Sequence, residues 1–279
     1  MVRQHRRTGG TLVVAAAMAG LLTGTAGCAG DDAAAEPPPV PEPLDAVHRA
    51  AAELVRAGTS KARTAMEMAT GGTRVTIRGE GVYDYGRRVG RLKLVLPPGP
   101  TGTTRRPPIT ELLAPGALYM RNRGAGVPAD KWVRVDTASV SDGNLVTGGA
   151  TDPLAAAELL RGARTVTYEG PGRVAGTAVR HYRGTTDLAR AARFSSGDTR
   201  RALAAAAKGF STTAVPFDVY LDERGRVRKV RHRFSFVNDH REGAVAVAST
   251  TLLFAFGVPV EVRLPAEGDI YAGRIADEA

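Results

Sequence analysis

Cys28 is the one cysteine in the 279 residues of the chain, and the residues before it give it a chemistry. Small side chains precede it directly, as Gly24-Thr25-Ala26-Gly27. A signal peptidase needs small residues beside the bond it cuts, and the thiol that follows the cut accepts a diacylglycerol. Upstream, Arg3, His5, Arg6 and Arg7 form a positive stretch, followed by the apolar run Thr11–Leu22. A membrane-spanning helix needs about 20 apolar residues. This run is shorter and ends in small residues, so it reads as a signal peptide. The arrangement resembles a lipobox, with Thr25 standing where Leu is usual. A lone cysteine also excludes an intramolecular disulfide and a multi-cysteine zinc site.

Other residue types that could do chemistry are dispersed. The sequence has no Gly-x-Ser-x-Gly elbow, His-Glu-x-x-His, phosphate loop, Cys-x-x-Cys or Gly-x-Gly-x-x-Gly. His48, His181, His232 and His240 lack the i, i+4 spacing of metal ligands. His181 beside Tyr182 reads as a strand-surface or packed histidine, because no carboxylate or nucleophile pattern accompanies it. Ser139, Ser141 and Asp142 read as loop residues before Gly143. Trp132 reads as a core, rim or cavity aromatic. The sequence therefore predicts no catalytic residue, no metal site and no cofactor, and the chain is not expected to be an enzyme.

Removing residues 1–27, which hold three arginines and no acid, lowers the formal charge from +10 to +7. The remaining cations alternate with apolar residues, as in Arg226-Val227-Arg228-Lys229-Val230-Arg231. That is the pattern of a solvated strand face, and no nucleic-acid partner is expected. Residues 28–43 join the anchor to a tether rich in Ala, Pro and acids. At about 3 Å per residue it could hold a domain some 40–50 Å from a membrane.

Residues 44–279 are read as one domain, within the length a β-rich domain can hold. Leu44, Val47, Ala51, Leu54 and Val55 predict a short helix ended by Gly58. Period-two alternation then takes over. Val75, Ile77, Gly79, Gly81 and Tyr83 share one side of a strand, and Leu92, Leu94 and Leu96 share one side of the next. Further strands are predicted at 118–121, 132–135, 164–168, 179–185, 217–221, 227–236 and 244–256. Turn signals stand between them at 97–100, 124–126, 171–172 and 222–225. Asp152-Pro153 opens one helical stretch. Residues 187–210 hold the largest, parted at Ser195-Ser196-Gly197, with Asp198 expected to cap its second half. Many antiparallel strands with few helices predict an α+β fold, with the helices on one side of a large sheet.

Four segments carry a family resemblance. They are Ala117-Leu118-Tyr119-Met120-Arg121 with Lys131-Trp132-Val133-Arg134-Val135-Asp136; Gly176 through Leu188; Val215 through Asp222 with Gly225 through Val230; and Phe256 through Pro265. In this order, after a lipobox, they resemble the LppX–LprAFG lipoproteins, which share the LolA-like half-barrel. The resemblance covers roughly residues 44–267. It implies a curved antiparallel sheet whose concave face, roofed by helices, forms an apolar cavity, with Val75, Ile77, Leu92, Leu94, Leu96, Phe234 and Phe236 as the expected lining. It implies binding or transport of acyl lipids, glycolipids or lipoprotein at the outer face of the cell membrane, with a membrane transporter among the implied partners. The alternative on the same scaffold is a non-transporting lipoprotein that senses or regulates a membrane partner.

The anchor is directly testable. Cys28→Ser is expected to abolish metabolic labelling by a fatty acid and to release the protein from membranes. Secretion of the native protein with Cys28 unmodified would overturn the lipoprotein reading.

Overall fold

The computed structural model describes residues 42–70, 73–97, 107–124, 126–237 and 244–273. The signal peptide, Cys28 and nearly all of the tether lie outside them. Among the described residues no helix is long and apolar enough to cross a membrane.

The predicted first helix is α1, Pro43–Ala57. Val47, Ala50, Ala51 and Leu54 are fully buried along one face. Gly58 follows with φ 78°, a conformation that glycine adopts without a Cβ penalty. Eleven strands then form one open antiparallel sheet. In chain order they are β1 (Thr59–Thr70), β2 (Thr73–Asp84), β3 (Val89–Val95), β4 (Ile109–Ala114), β5 (Ala117–Arg121), β6 (Trp132–Asp136), β7 (Ala163–Val174), β8 (Thr177–Asp187), β9 (Ala214–Leu221), β10 (Val227–Val237) and β11 (Ala244–Phe254). Their order across the sheet is β6-β5-β4-β3-β2-β1-β11-β10-β9-β8-β7. Two meanders thus meet at the β1–β11 pair, and the edges β6 and β7 remain apart. This is the α+β architecture expected, a large antiparallel sheet that does not close, with its helices on one face.

Three helices besides α1 complete the cover: α2 (Pro153–Glu158), α3 (Leu188–Phe194) and α4 (Gly197–Gly209). A single 3-10 turn, Leu159–Gly162, links α2 to β7. Asp152 caps α2 as expected, accepting hydrogen bonds from the Leu154 and Ala155 amides. The break at Ser195-Ser196 is also as expected. Asp198 is not the cap of α4: that position is Ser196, and Asp198 pairs with Arg201 in the first turn. The cap made by an aspartate here is Asp187 on α3, through the Arg190 amide. The longest single helix is α1, not a helix of the 187–210 stretch, although the latter holds more helical residues in all.

Three strand expectations change. β1 and β4 were not expected at all. Pro171-Gly172 does not turn the chain but lies within β7, an edge strand, where a missing amide costs no ladder bond. The turn falls at Ala175-Gly176 instead, both at positive φ. A bulge between Val227 and Lys229 explains the doubled cation at Arg228-Lys229: Val227 and Val230, three residues apart, both point into the core.

The core is held by α1 against the β7–β10 half of the sheet. Leu54→Ala is expected to destabilise the protein by about 2–5 kcal/mol, read as a lowered urea midpoint. Val55→Ala, at a 41% exposed position one residue on, should shift the midpoint little.

Candidate functional site: the covered inner face

The two faces of the sheet differ in chemistry, and the strand registers say which residue belongs to which. Met66 pairs with Ile77 and Met68 with Val75; Gly79 pairs with Leu94 and Gly81 with Leu92. Val75, Ile77, Leu92, Leu94 and Leu96 therefore share the inner face, as their alternation predicted, and Lys93 points outward. Phe234 is buried on the same face. The side chain of Phe236 lies outside the described residues.

These side chains are brought together, but they do not line an open cavity in this conformation. Leu92 and Leu94 are 0% exposed, and Ile77 is 6% exposed. Val75 and Leu96 are half-buried. The space is filled by residues 137–151, which connect β6 to α2. A Cβ at Gly149 would stand 3.3 Å from Ile77 Cδ1 and 3.4 Å from Leu94 Cδ1. One at Gly148 would stand 3.2 Å from Leu118 Cδ2 and 3.3 Å from Glu111 Oε1. On its other side the segment meets α4, where Gly143 abuts the Ala202 carbonyl and Gly209 abuts the Ser141 carbonyl. Glycine at these positions lets the backbone lie flat between sheet and helix. A partly open hollow beside Tyr83, Asn144, Asp152 and Leu154 holds about 60 Å³. That is far below the roughly 300–1,000 Å³ of a ligand pocket.

Asp142 shapes this segment. Its Oδ2 accepts from the Val146 and Thr147 amides at 2.7 Å each, and its Oδ1 from Asn144 at 2.9 Å. Thr151 fastens the far end through Ser249 Oγ at 2.6 Å and the Leu145 carbonyl at 2.8 Å. Leu145 is the segment's buried apolar anchor, seated with Met66, Leu203 and Phe234.

Beneath and around the segment lie polar groups that sequence reasoning missed. Glu111 on β4 is fully buried on the inner face, and neither carboxyl oxygen has a hydrogen-bond partner. Burial pushes its pKa up to about 8, against the opposing charge of Arg123. Asn144 Oδ1, Thr64 Oγ1, Thr251 Oγ1 and His232 Nε2 are also buried without partners. Burial pulls the His232 imidazole down to about 3. Buried polar atoms in native folds are nearly always paired; these exceptions are spread across the inner face on β4, β1, β11 and β10 and in the covering segment. Nearby, Asp152 is half-buried beside the buried Tyr83, whose hydroxyl donates to it at 3.0 Å; desolvation raises both groups.

The outer face carries a separate network. His181 Nε2 lies 2.9 Å from Asp218 Oδ1 and its ring stacks on Tyr220, so a carboxylate does accompany it. Arg183 and Arg233 also bind Asp218, at 3.0 and 2.7 Å. Burial alone would raise this carboxyl; hydrogen bonds from Arg233, His181 and Arg183 outweigh it and hold it below the usual range. A carboxylate so held is an electrostatic knot. Trp132 also sits on the outer face, half-buried with Val260 beneath the extended stretch that follows β11. Among the described residues no group of three or more His, Cys, Asp or Glu is arranged to hold a metal ion.

No family model matches the chain, and no curated protein sequence does. Solved structures do resemble it. The lipoprotein LppX from Mycobacterium tuberculosis aligns at 10% identity and a TM-score of 0.47, covering 79% of this chain and 97% of that one. LprF from Mycobacterium bovis aligns at 14% identity and 0.40, covering 82% and 99%. A LolA superfamily protein from Nitrosomonas europaea aligns at 9% and 0.33, covering 77% and 94%. The assignment of an open antiparallel half-barrel rests on the strand order and registers of the chain itself.

Glu111 gives the inner face a pH signature. A carboxyl whose folded pKa lies near 8, above the ordinary 4.5, keeps its proton in the folded state while the unfolded chain ionises. Stability is then highest below pH 4.5 on this account and falls as pH rises towards 8. His232 acts oppositely, costing stability as pH falls from 6.5 towards 3. Between pH 6.5 and 8 only the Glu111 effect of the two operates. Urea melts across that window should show stability falling with pH, and Glu111→Gln should flatten the slope. An unchanged slope in that variant would rule the assignment out.

Proposed function

We propose that the chain is an envelope lipoprotein, anchored through Cys28 on the outer face of the cell membrane, that binds or carries a lipidic ligand on the inner face of its sheet. Acyl lipids, glycolipids or a lipoprotein acyl group fit the chemistry of that face. One observation carries the reading: the apolar inner face is covered by a connecting segment, residues 137–151, that meets Ile77, Leu94 and Leu118 through Gly148 and Gly149 and buries Leu145, Val146 and Ala150. Lifting that segment would bare Ile77, Leu94 and Leu118 for acyl chains, with Glu111, Asn144 and Thr64 for a polar head.

The full burial of Leu92 and Leu94 favours the second reading, a lipoprotein that regulates a membrane partner with a permanently filled interior. Binding to delipidated protein separates the two. A fluorescent fatty acid is expected to bind saturably. Leu145→Asp, which unseats the segment, should strengthen that binding several-fold, and adding Leu94→Trp in the same background should weaken it again by obstructing the face. Thr76→Ala, on the outer face of β2, should leave it unchanged. If neither the native protein nor Leu145→Asp binds any acyl probe, the carrier reading is lost and the regulatory one remains.

A further inference from the structure

The outer face is strongly cationic where the inner face is apolar. The registers set Arg121, Lys93, Arg63 and Lys229 in one line across the sheet, from β5 to β10. At about 4.8 Å per strand the line spans roughly 29 Å. Its one acid, Glu80, lies 3.3 Å from Arg63. In the adjoining line Arg78 is exposed on β2, and neither it nor Lys93 has an ion-pair partner among the described residues. This is a local choice of the fold: a few strands away, Asp218 neutralises Arg183 and Arg233. Between Arg63, Arg78 and Lys93 lies an open hollow of about 460 Å³ floored by Ala65 and Leu252, with Val95 55% exposed at its edge.

We propose that this outer face docks on an anionic phospholipid bilayer, with Arg63, Arg78 and Lys93 seating lipid phosphates and Val95 reaching the acyl boundary. Each cation close to an anionic membrane surface adds favourable energy that falls off within a Debye length, so only a face pressed against the bilayer gains from a row of them. Flat presentation on a sheet supplies that geometry. The tether supplies reach. Fourteen positions separate Cys28 from Glu42. At about 3 Å per step a chain of that length can reach at most roughly 40 Å, comparable with the width of a domain of this size, so its length does not fix which face meets the surface. With the outer face down, the segment covering the inner face points away from the membrane.

The proposal is independent of whether the inner face takes a ligand, and its test avoids the anchor. Protein from residue 28 onward with Cys28→Ser retains the whole described unit and its core. It is sedimented with vesicles of phosphatidylcholine alone or of phosphatidylcholine and phosphatidylglycerol at 7:3, in 50 and 300 mM salt. Binding is expected to the anionic vesicles only and to fall with salt. Arg78→Glu/Lys93→Glu should lower it about tenfold or more. Arg193→Glu/Lys208→Glu makes the same change in net charge on α3 and α4 and should lower it less than threefold. Thermal melts verify that both variants are folded. Equal losses in the two variants, or no preference for anionic vesicles, would overturn the proposal.

Discussion

An antiparallel sheet that does not close must find another cover for its inner face, and nearly everything else in this protein follows from that constraint. Ile77, Leu92, Leu94, Leu118, Phe217 and Val219 all point the same way. Leaving such side chains in water costs about 25 cal/mol per Å² of apolar surface. The topology dictates where the cover comes from. β6 and β7 are consecutive in the chain but stand at opposite edges of the sheet. The connection between them must cross the open mouth, and it does so as residues 137–151, α2 and a 3-10 turn. The β8–β9 connection is diverted in the same way into α3 and α4. Helix α1 takes the remaining side before the sheet begins. The roof is the set of chain crossings that an open sheet with this strand order requires.

The crossing nearest the sheet has no helix yet belongs to the core. Helices bury side chains by interdigitation, as Leu54 of α1 does. Residues 137–151 also bury Leu145, Val146 and Ala150, meet the sheet through Gly148 and Gly149 and α4 through Gly143, and are held by the carboxylate of Asp142 and the hydroxyl of Thr151. Their placement leaves Glu111, Asn144 and Thr64 without partners. An unpaired buried group costs about 1–3 kcal/mol. Such groups occur on both halves of the sheet, with Thr64 and Glu111 on β1 and β4 and His232 and Thr251 on β10 and β11.

Much of this was legible in the sequence, and what was not has identifiable causes. The alternation at 75–83 and 92–96 assigned faces correctly because those strands lie in the middle of a sheet with one covered face, where period two is strictly enforced. β1 was illegible because Thr59–Thr70 puts Ser60, Ala62, Thr64 and Met66 inward, and small or hydroxylated residues carry no apolar rhythm. β4 hid for a related reason: Glu111 stands at an inward position between Ile109 and Leu113, so the residue of greatest chemical interest also broke the pattern that would have revealed its strand. The covering segment has no periodicity, and Gly143, Gly148 and Gly149 read as loop punctuation. Its seat on Leu94 depends on contacts between residues more than fifty positions apart, which no local pattern encodes. The Asp218 network was missed likewise, since His181 and its carboxylate lie on different strands.

The two faces impose opposite demands on the same strands, and the sequence meets both residue by residue. On β3, Leu92 and Leu94 serve the interior while Arg91, Lys93 and Val95 serve the outside. On β2, glycines at 79 and 81 make room on the inner face for Leu94 and the β3 backbone, while Arg78 and Glu80 occupy the outer one. A change that slipped either strand by one residue would exchange the faces wholesale, placing cations under the roof and leucines in water. The β1–β11 pair, which joins the two meanders through nine registered residue pairs from Lys61–Phe254 to Ala69–Ala246, holds both halves to a common register. Inner-face chemistry and outer-face charge are therefore set together by strand pairing.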